Sequence, residues 1–387
     1  MRYLVLVCAV LMQMCLGATY SWSVYVQPIK ELTGLLQGPV QLPFTVFYFV
    51  FPAVMITAGR WLERFGPRIC AVSGGCLFGA GWILAGFGKV HFAFTVIGIG
   101  VIAGVGVGLA YIVPIATGIR WFPENKGLVT GVAVAGFGGG AALVSQIGGH
   151  LMQQVGFSPF LVLQVFGAAF GVIVSIAGLG MRNPEGSRNA VSAPPISYRN
   201  ILSHPGFQVL YAAMFTGLCA GFAINANLKE LGKAASFQTG VAAVSMFAMA
   251  NAAGRIGWGA CMDRVRTSLI LRTNLLLQAL TLFLSPVLLK SAFGLLVIAG
   301  VCGFNYGGVL VLYAASTARI WGAEAVGRVY GALFSANIPA ALAPLLAGML
   351  YDRTGSFLPS TVLLAILLCA AFGLTTARSA LLDDHHS

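Results

Sequence analysis

At 387 residues, with 58% hydrophobic and 8% charged side chains and a mean hydropathy of +0.89, the chain is excluded from the soluble globular class, where about a quarter of residues carry charge. The net charge of +12 does not mark a nucleic-acid binder, because the basic residues stand singly or in short clusters between apolar runs, without a basic stripe. The eight cysteines lie in or beside apolar segments without metal-ligand spacing. Neither a disulfide framework, a metal site nor a cofactor is expected.

The chain opens on Arg2 and an apolar run that imitates a secretory signal, but the run continues past Trp22 to Val26. A signal core is only about 7–15 residues long, so the stretch reads as an uncleaved first transmembrane helix. Apolar stretches of about 20 residues, enough to cross a bilayer, follow near 41–60, 69–88, 93–118, 127–150 and 158–180. A second set lies near 207–228, 238–260, 267–289, 292–318, 327–350 and 357–378. Between the sets lies a polar segment, 181–205, rich in Asn, Ser, Pro and Arg. It divides the chain into two six-helix bundles, 1–180 and 206–387. Lys and Arg set the orientation: in the first half Arg2, Arg60, Arg64, Arg68, Arg120 and Lys126 fall on one side, against Lys30 and Lys89 on the other. Both termini are therefore expected in the cytoplasm and the chain in the cell inner (plasma) membrane.

The halves repeat each other at one offset. GRWLERFGPR (59–68) and GACMDRVR (259–266) place Gly59, Glu63 and Arg64 two hundred residues before Gly259, Asp263 and Arg264. WFPENKGLVTG (121–131) recurs as WGAEAVGRVYG (321–331). Such a tandem repeat of helical units suits a transporter that works by rocking one half against the other, with the Glu63/Arg64 and Asp263/Arg264 pairs as candidate gates.

Inside the apolar run of the eighth span stands one cation, Arg255, with Asn251 one turn before it. An ionisable group at membrane depth is costly and points to function. Asn251 lies near the middle of its span, and Arg255 lies about 6 Å lower at 1.5 Å per residue, within reach of the midplane for a long guanidinium stem. A guanidinium offers a planar fork that fits a carboxylate and keeps its proton. Tyr306, Phe334 and Asn337 are central in their spans, Tyr111 lies at the depth of Arg255, and Tyr20 lies outside the midplane. With Asn251 they are candidates for the rest of a small acid. Arg272, early in the ninth span, reads as snorkelling to the near surface. The glycine runs GVGVGLA (104–110) and GFGGGA (136–141) lack the strand and Lys-Ser/Thr of a phosphate loop and read as close helix packing. All ten acids fall at loops or helix ends, and the histidines have no catalytic partner, so no enzyme is expected.

The paired acidic–basic glycine motifs resemble the major facilitator superfamily. The strings GATYSWSVYVQPIKELTG (17–34), GLAYIVPIATGIRWFPENKGLVTGVAVAGFGGGA (108–141) and VYGALFSANIPAALAPLLAGMLYDRTGS (329–356) are similar to its branch of monocarboxylate transporters and oxalate–formate exchangers, nearest to a bacterial lactate/pyruvate-type homologue. The resemblance implies an all-α membrane protein of twelve helices in two pseudo-symmetric bundles, a monomer that carries a small monocarboxylate together with a proton by alternating access. An oxalate/formate or dicarboxylate exchanger is the alternative, and a drug-type exporter the third. The chain departs from the monocarboxylate pattern where Asn251 stands for an acid, and where Tyr20 to Val26 lacks a lysine. Both departures bear on the proton route.

Overall fold

A computed structural model of the chain describes residues 1–35, 37–184, 197–231 and 237–383. Residues 185–196 of the 181–205 segment, the side chains of Lys229 and Glu230, and the His385–His386 tail lie outside the described residues. Every described element is a helix or a turn. Backbone groups in lipid have no water to bond with, so a spanning chain closes its hydrogen bonds within itself, and the helix does so segment by segment.

Nine of the described helical segments are long and apolar enough to cross a membrane. One of them, Pro39–Lys89, is two crossings folded at Gly66. There φ is 79° and ψ is 170°, a backbone region that only glycine adopts without strain. The residues around it, expected as a loop over 59–68, are otherwise helical. Phe237–Arg264, whose apolar run is interrupted by Asn251 and Arg255, and the shorter apolar Thr267–Phe283 complete twelve crossings among the described residues. Outward-facing positions are apolar, as on Pro159–Leu179, where Val172, Ile176 and Leu179 are exposed. That is the surface of a protein solvated by acyl chains.

The eleventh span is broken. Val326–Phe334 is helical, Ser335 and Ala336 form a turn, Asn337–Ala340 is a single turn of helix, and Ala343–Thr354 resumes after a second interruption. Pro339 and Pro344 account for the breaks, because each lacks an N–H and crowds the carbonyl four residues back. In contrast Gly104–Trp121 continues through Pro114.

The chain forms two compact units: Met1–Pro123, Val132–Ala190 and Val326–Ser335 make one, and Glu124–Gly131, Val191–Ala325 and Ala336–Ser387 the other. The eleventh span thus changes unit at its first break, and the fifth changes unit at Gly131.

Backbone-to-backbone packing through glycine builds each unit. In the first, an added Cβ at Gly106 would lie 2.5 Å from the Phe78 nitrogen, and one at Gly140 would overlap the Met14 carbonyl. In the two glycine runs, a Cβ added at Gly104, Gly106, Gly108, Gly136 or Gly140 would lie within 3.1 Å of a neighbouring helix, whereas one at Gly139 would face open space. Val96–Ala103 is a π-helix whose wider turn carries Gly98 and Gly100 against the Gln37–Ala85 helix. In the second unit Gly254, Gly303 and Gly307 seat Phe237–Arg264 against Ala292–Ile320, with Gly307 directly on the Asn251 carbonyl.

The 200-residue repeat recurs in these contacts. Gly127 lies on Gly259 and Gly327 on Gly59; Gly131 lies on the Arg255 carbonyl and Gly331 on that of Met55. Each partner in one unit is 200 residues from its counterpart in the other.

Gly307→Ala is expected to lower thermal stability in detergent by about 1–3 kcal/mol, the usual penalty of overpacking. Gly373→Ala, with nothing within 4 Å of the new methyl, should be neutral or stabilising by up to about 1 kcal/mol, because alanine restricts the unfolded chain.

Candidate functional site

The site is built on the helix Phe237–Arg264, held at glycine-contact distance from Ala292–Ile320. Arg255 is 3% exposed and Asn251 8%. One turn apart, they meet: Arg255 Nε donates to Asn251 Oδ1 at 3.0 Å. That bond fixes the amide, because with Oδ1 accepting, Nδ2 turns its two hydrogens away from the arginine. Asn251 Nδ2 is buried with no hydrogen-bond partner among the described residues. An unmade buried donor costs about 1–3 kcal/mol, so the pair presents a cation and an amide donor side by side in a place suited to an anion. The guanidinium itself costs several kcal/mol to bury, and a neutral amide returns only part of that.

Of the other residues singled out in the sequence, Tyr306 and Asn337 belong to the same unit. Tyr306 precedes Gly307, and its ring packs on Gly221, Phe222 and Phe247. Asn337 is buried just after the break in the eleventh span. Tyr20, Tyr111 and Phe334 belong to the first unit and enter one aromatic cluster. Tyr111 lies 5.5 Å from Phe334 and 5.4 Å from Phe137, and Phe137 is 4.9 Å from Tyr20. Phe51 and Tyr48 complete it, Phe51 at 5.1 Å from Phe334 and Tyr48 stacked on Tyr20 at 5.8 Å. Sequence reasoning missed Phe51, Phe137 and Tyr48, since an aromatic in an apolar span carries no local mark. It also missed Gln13, a fully buried amide in the first span that donates to the Tyr111 carbonyl at 3.2 Å and leaves its Oε1 without a partner among the described residues. A glutamine within an apolar run was the available signal.

The repeated acids make two different contacts. Asp263 accepts from the N–H groups of Gly127 (2.7 Å) and Leu128 (2.8 Å). These belong to the first turn of Lys126–Gln153, where N–H groups have no partner within their own helix and the helix dipole favours an anion. Glu63, the counterpart, instead forms an ion pair with Arg328. Arg328 stands where the first repeat has Leu128, so one copy uses a side-chain cation and the other a helix start. Arg64 and Arg264 are exposed, and Arg64 lies over the Phe65 ring at 5.3 Å. Arg272, expected to snorkel, turns back toward the start of its own helix and donates to the Ser268 carbonyl (3.0 Å) and hydroxyl (2.9 Å).

Residues 4–344 match the family model described as Major Facilitator Superfamily. The chain belongs to the major facilitator superfamily. As a member it is a multi-pass membrane transporter with that family's helical fold. It is similar to the oxalate:formate antiporter of Oxalobacter formigenes, 27% identical over 88% of this chain and 82% of that protein. It is similar also to apicoplast pyruvate carrier 1 of Toxoplasma gondii, 25% identical over 86% and 80%, and to monocarboxylate transporter 13 of Rattus norvegicus, 27% over 80% and 73%. Among solved structures, the major facilitator transporter FucP in the outward conformation superposes with a TM-score of 0.74 at 16% identity, over 97% of this chain and 98% of that one. The relatives by sequence thus include an oxalate:formate antiporter, a pyruvate carrier and a monocarboxylate transporter.

Asp263→Asn removes the charge that faces two orphan N–H groups, an interaction worth roughly 0.3–2 kcal/mol. Turnover in proteoliposomes is expected to fall by about two- to tenfold, with equilibrium substrate binding to detergent-solubilised protein nearly unchanged. A loss of affinity at unchanged turnover would contradict a gating role.

Proposed function

We propose that this major facilitator transporter carries small monocarboxylates of the lactate or pyruvate kind by alternating access, with the substrate carboxylate bound at Arg255. The supporting observation is the buried Arg255–Asn251 pair, with the unpartnered Asn251 Nδ2 beside the guanidinium. A planar fork takes both oxygens of a carboxylate, and the amide N–H suits a 2-hydroxyl or 2-keto oxygen next to it. Names among the relatives, a pyruvate carrier and a monocarboxylate transporter, agree with that chemistry. Tyr306 and Asn337 in the same unit, and the Tyr20, Tyr111 and Phe334 cluster in the other, are the further residues we assign to substrate. We place both termini in the cytoplasm of the inner membrane, from the distribution of Lys and Arg, and treat the monomer as the working unit.

Oxalate–formate exchange is the second reading, favoured by the similarity to a protein of that activity. A single mid-span cation suits one carboxylate better than the two of a dianion. Uptake of radiolabelled acids into proteoliposomes separates the readings. Lactate or pyruvate should outcompete oxalate and other diacids, and preference for diacids over every monoacid would overturn the proposal.

Coupling follows from charge. A cation carried through an occluded state is costly in a low dielectric, and a bound monoanion adds a carboxylate to the buried Arg255 guanidinium and lowers that cost. Exchange should therefore outpace net uptake. No acid lies mid-span, so the proton travels with the substrate or through Glu31, Glu230 or Asp263 at the helix ends. Asn251→Asp puts a carboxylate one turn before Arg255 when the site is empty. It is expected to raise net flux relative to exchange, measured as lactate uptake under an imposed pH gradient with and without lactate inside the vesicles. A wild-type protein whose net uptake equals exchange and ignores the gradient would contradict this coupling.

A further inference from the structure

The chain's C-terminal segment reaches the start of the helix that follows Asp263. The Asp383 carboxylate accepts from the Ser268 N–H (2.9 Å) and the Ser268 hydroxyl (2.5 Å) at the start of Thr267–Phe283. Taken alone this is a helix cap supplied from a distance. Its surroundings go further. Asp383 shares a cavity of about 340 Å³ with Arg266, Thr267 and Arg319. Arg319 donates to the carbonyls of Val265 (2.7 Å) and Met262 and lies 3.5 Å from the Thr267 hydroxyl. Met262 and Val265 flank Asp263 in sequence, so Arg319 braces the turn from which Asp263 reaches Gly127 and Leu128. The Arg319 guanidinium lies in the electric field of both carboxylates, Asp263 and Asp383, and Lys126 adds a second cation beside Asp263. All of these residues belong to one unit.

We propose that Asp383 is a positioning residue for the Asp263 contact: the C-terminal segment holds Arg319 and the 262–267 turn so that Asp263 meets the start of Lys126–Gln153. This rests on reading Asp263 as a gate and adds the C-terminal end of the chain to that gate. Without the Asp383 charge, Arg319 is opposed by one carboxylate instead of two. It is then drawn toward Asp263, which competes with the two backbone N–H groups for that carboxylate. The turn also loses its tie to the next helix through Ser268.

Hydrogen–deuterium exchange on the full-length protein in lipid nanodiscs separates this from simple capping. The readouts are peptides covering 124–131, which contains the Gly127 and Leu128 amides, and 265–272, which contains the capped helix start. In Asp383→Asn both peptides should exchange about two- to fivefold faster, the range given by partly exposed charge contacts. Asp383→Glu, which keeps the charge, should restore protection at 124–131. Adding Asp383→Asn to Asp263→Asn should raise exchange at 124–131 no further, because the second change then acts through a contact already lost.

Faster exchange confined to 265–272 in Asp383→Asn, with 124–131 loosened by Asp263→Asn alone, would overturn the proposal and leave the gate standing. Unchanged exchange at 124–131 in Asp263→Asn would instead overturn the gate, and this proposal with it. Fully additive effects in the double variant would show that the two carboxylates act separately, which also overturns it.

Discussion

A guanidinium held out of water is the costly feature of this molecule. Arg255 is almost fully buried in a largely apolar span that it interrupts together with Asn251, and its Nε bond to that neutral amide offsets little of the desolvation. A group of that cost persists when a ligand repays it in use. An anion would gain from Arg255 what it loses in leaving water, and the protein would gain a neutralised site in the occluded state between its two openings. On the proposed function, substrate recognition and the conformational cycle share one electrostatic origin. The fold serves that arrangement through glycine: Gly254, Gly303 and Gly307 bring two backbones together and leave the Asn251–Arg255 turn in a fixed place. A side chain at Gly307 would push against the backbone carrying the site.

The repeat shows how one motif yields two contacts. Aspartate is short and reaches backbone N–H groups when a helix start lies beside it; glutamate is one methylene longer and reaches a guanidinium. Asp263 and Glu63 occupy equivalent positions and take those two partners, because Leu128 in one copy is Arg328 in the other. The helix-start contact depends on oriented backbone dipoles, whereas the ion pair depends on a flexible side chain. The two halves are therefore unequal in what holds them, although the glycine contacts around them match position for position.

Much of this was legible in the sequence, for physical reasons. Twelve apolar runs, two matching loops and one mid-span cation are one-dimensional signals, since lipid demands apolar length and punishes charge. Arg255 stood out because a cation breaks an apolar run; Phe51, Phe137 and Gln13 did not, because neutral groups pass within such runs. Contacts between distant parts of the chain were hidden. Glu63 and Arg328 are 265 residues apart, and nothing local marks them as a pair. The break of the eleventh span at Ser335 was written in Pro339 and Pro344, but hydropathy averaged over the span conceals it.

The central claim is that Arg255 binds the carboxylate by its fork and its charge together. Calorimetric titration of lactate and pyruvate into purified wild-type, Arg255→Lys and Arg255→Ala proteins tests it most directly, with thermal unfolding as the control for folding. Truncating a buried charged contact typically costs about 2–5 kcal/mol, a fall in affinity of at least tenfold. Arg255→Ala should therefore lose measurable binding, and Arg255→Lys, which keeps the charge but not the planar pair of donors, should bind more weakly than wild type. Wild-type affinity in a correctly folded Arg255→Ala protein would contradict the claim.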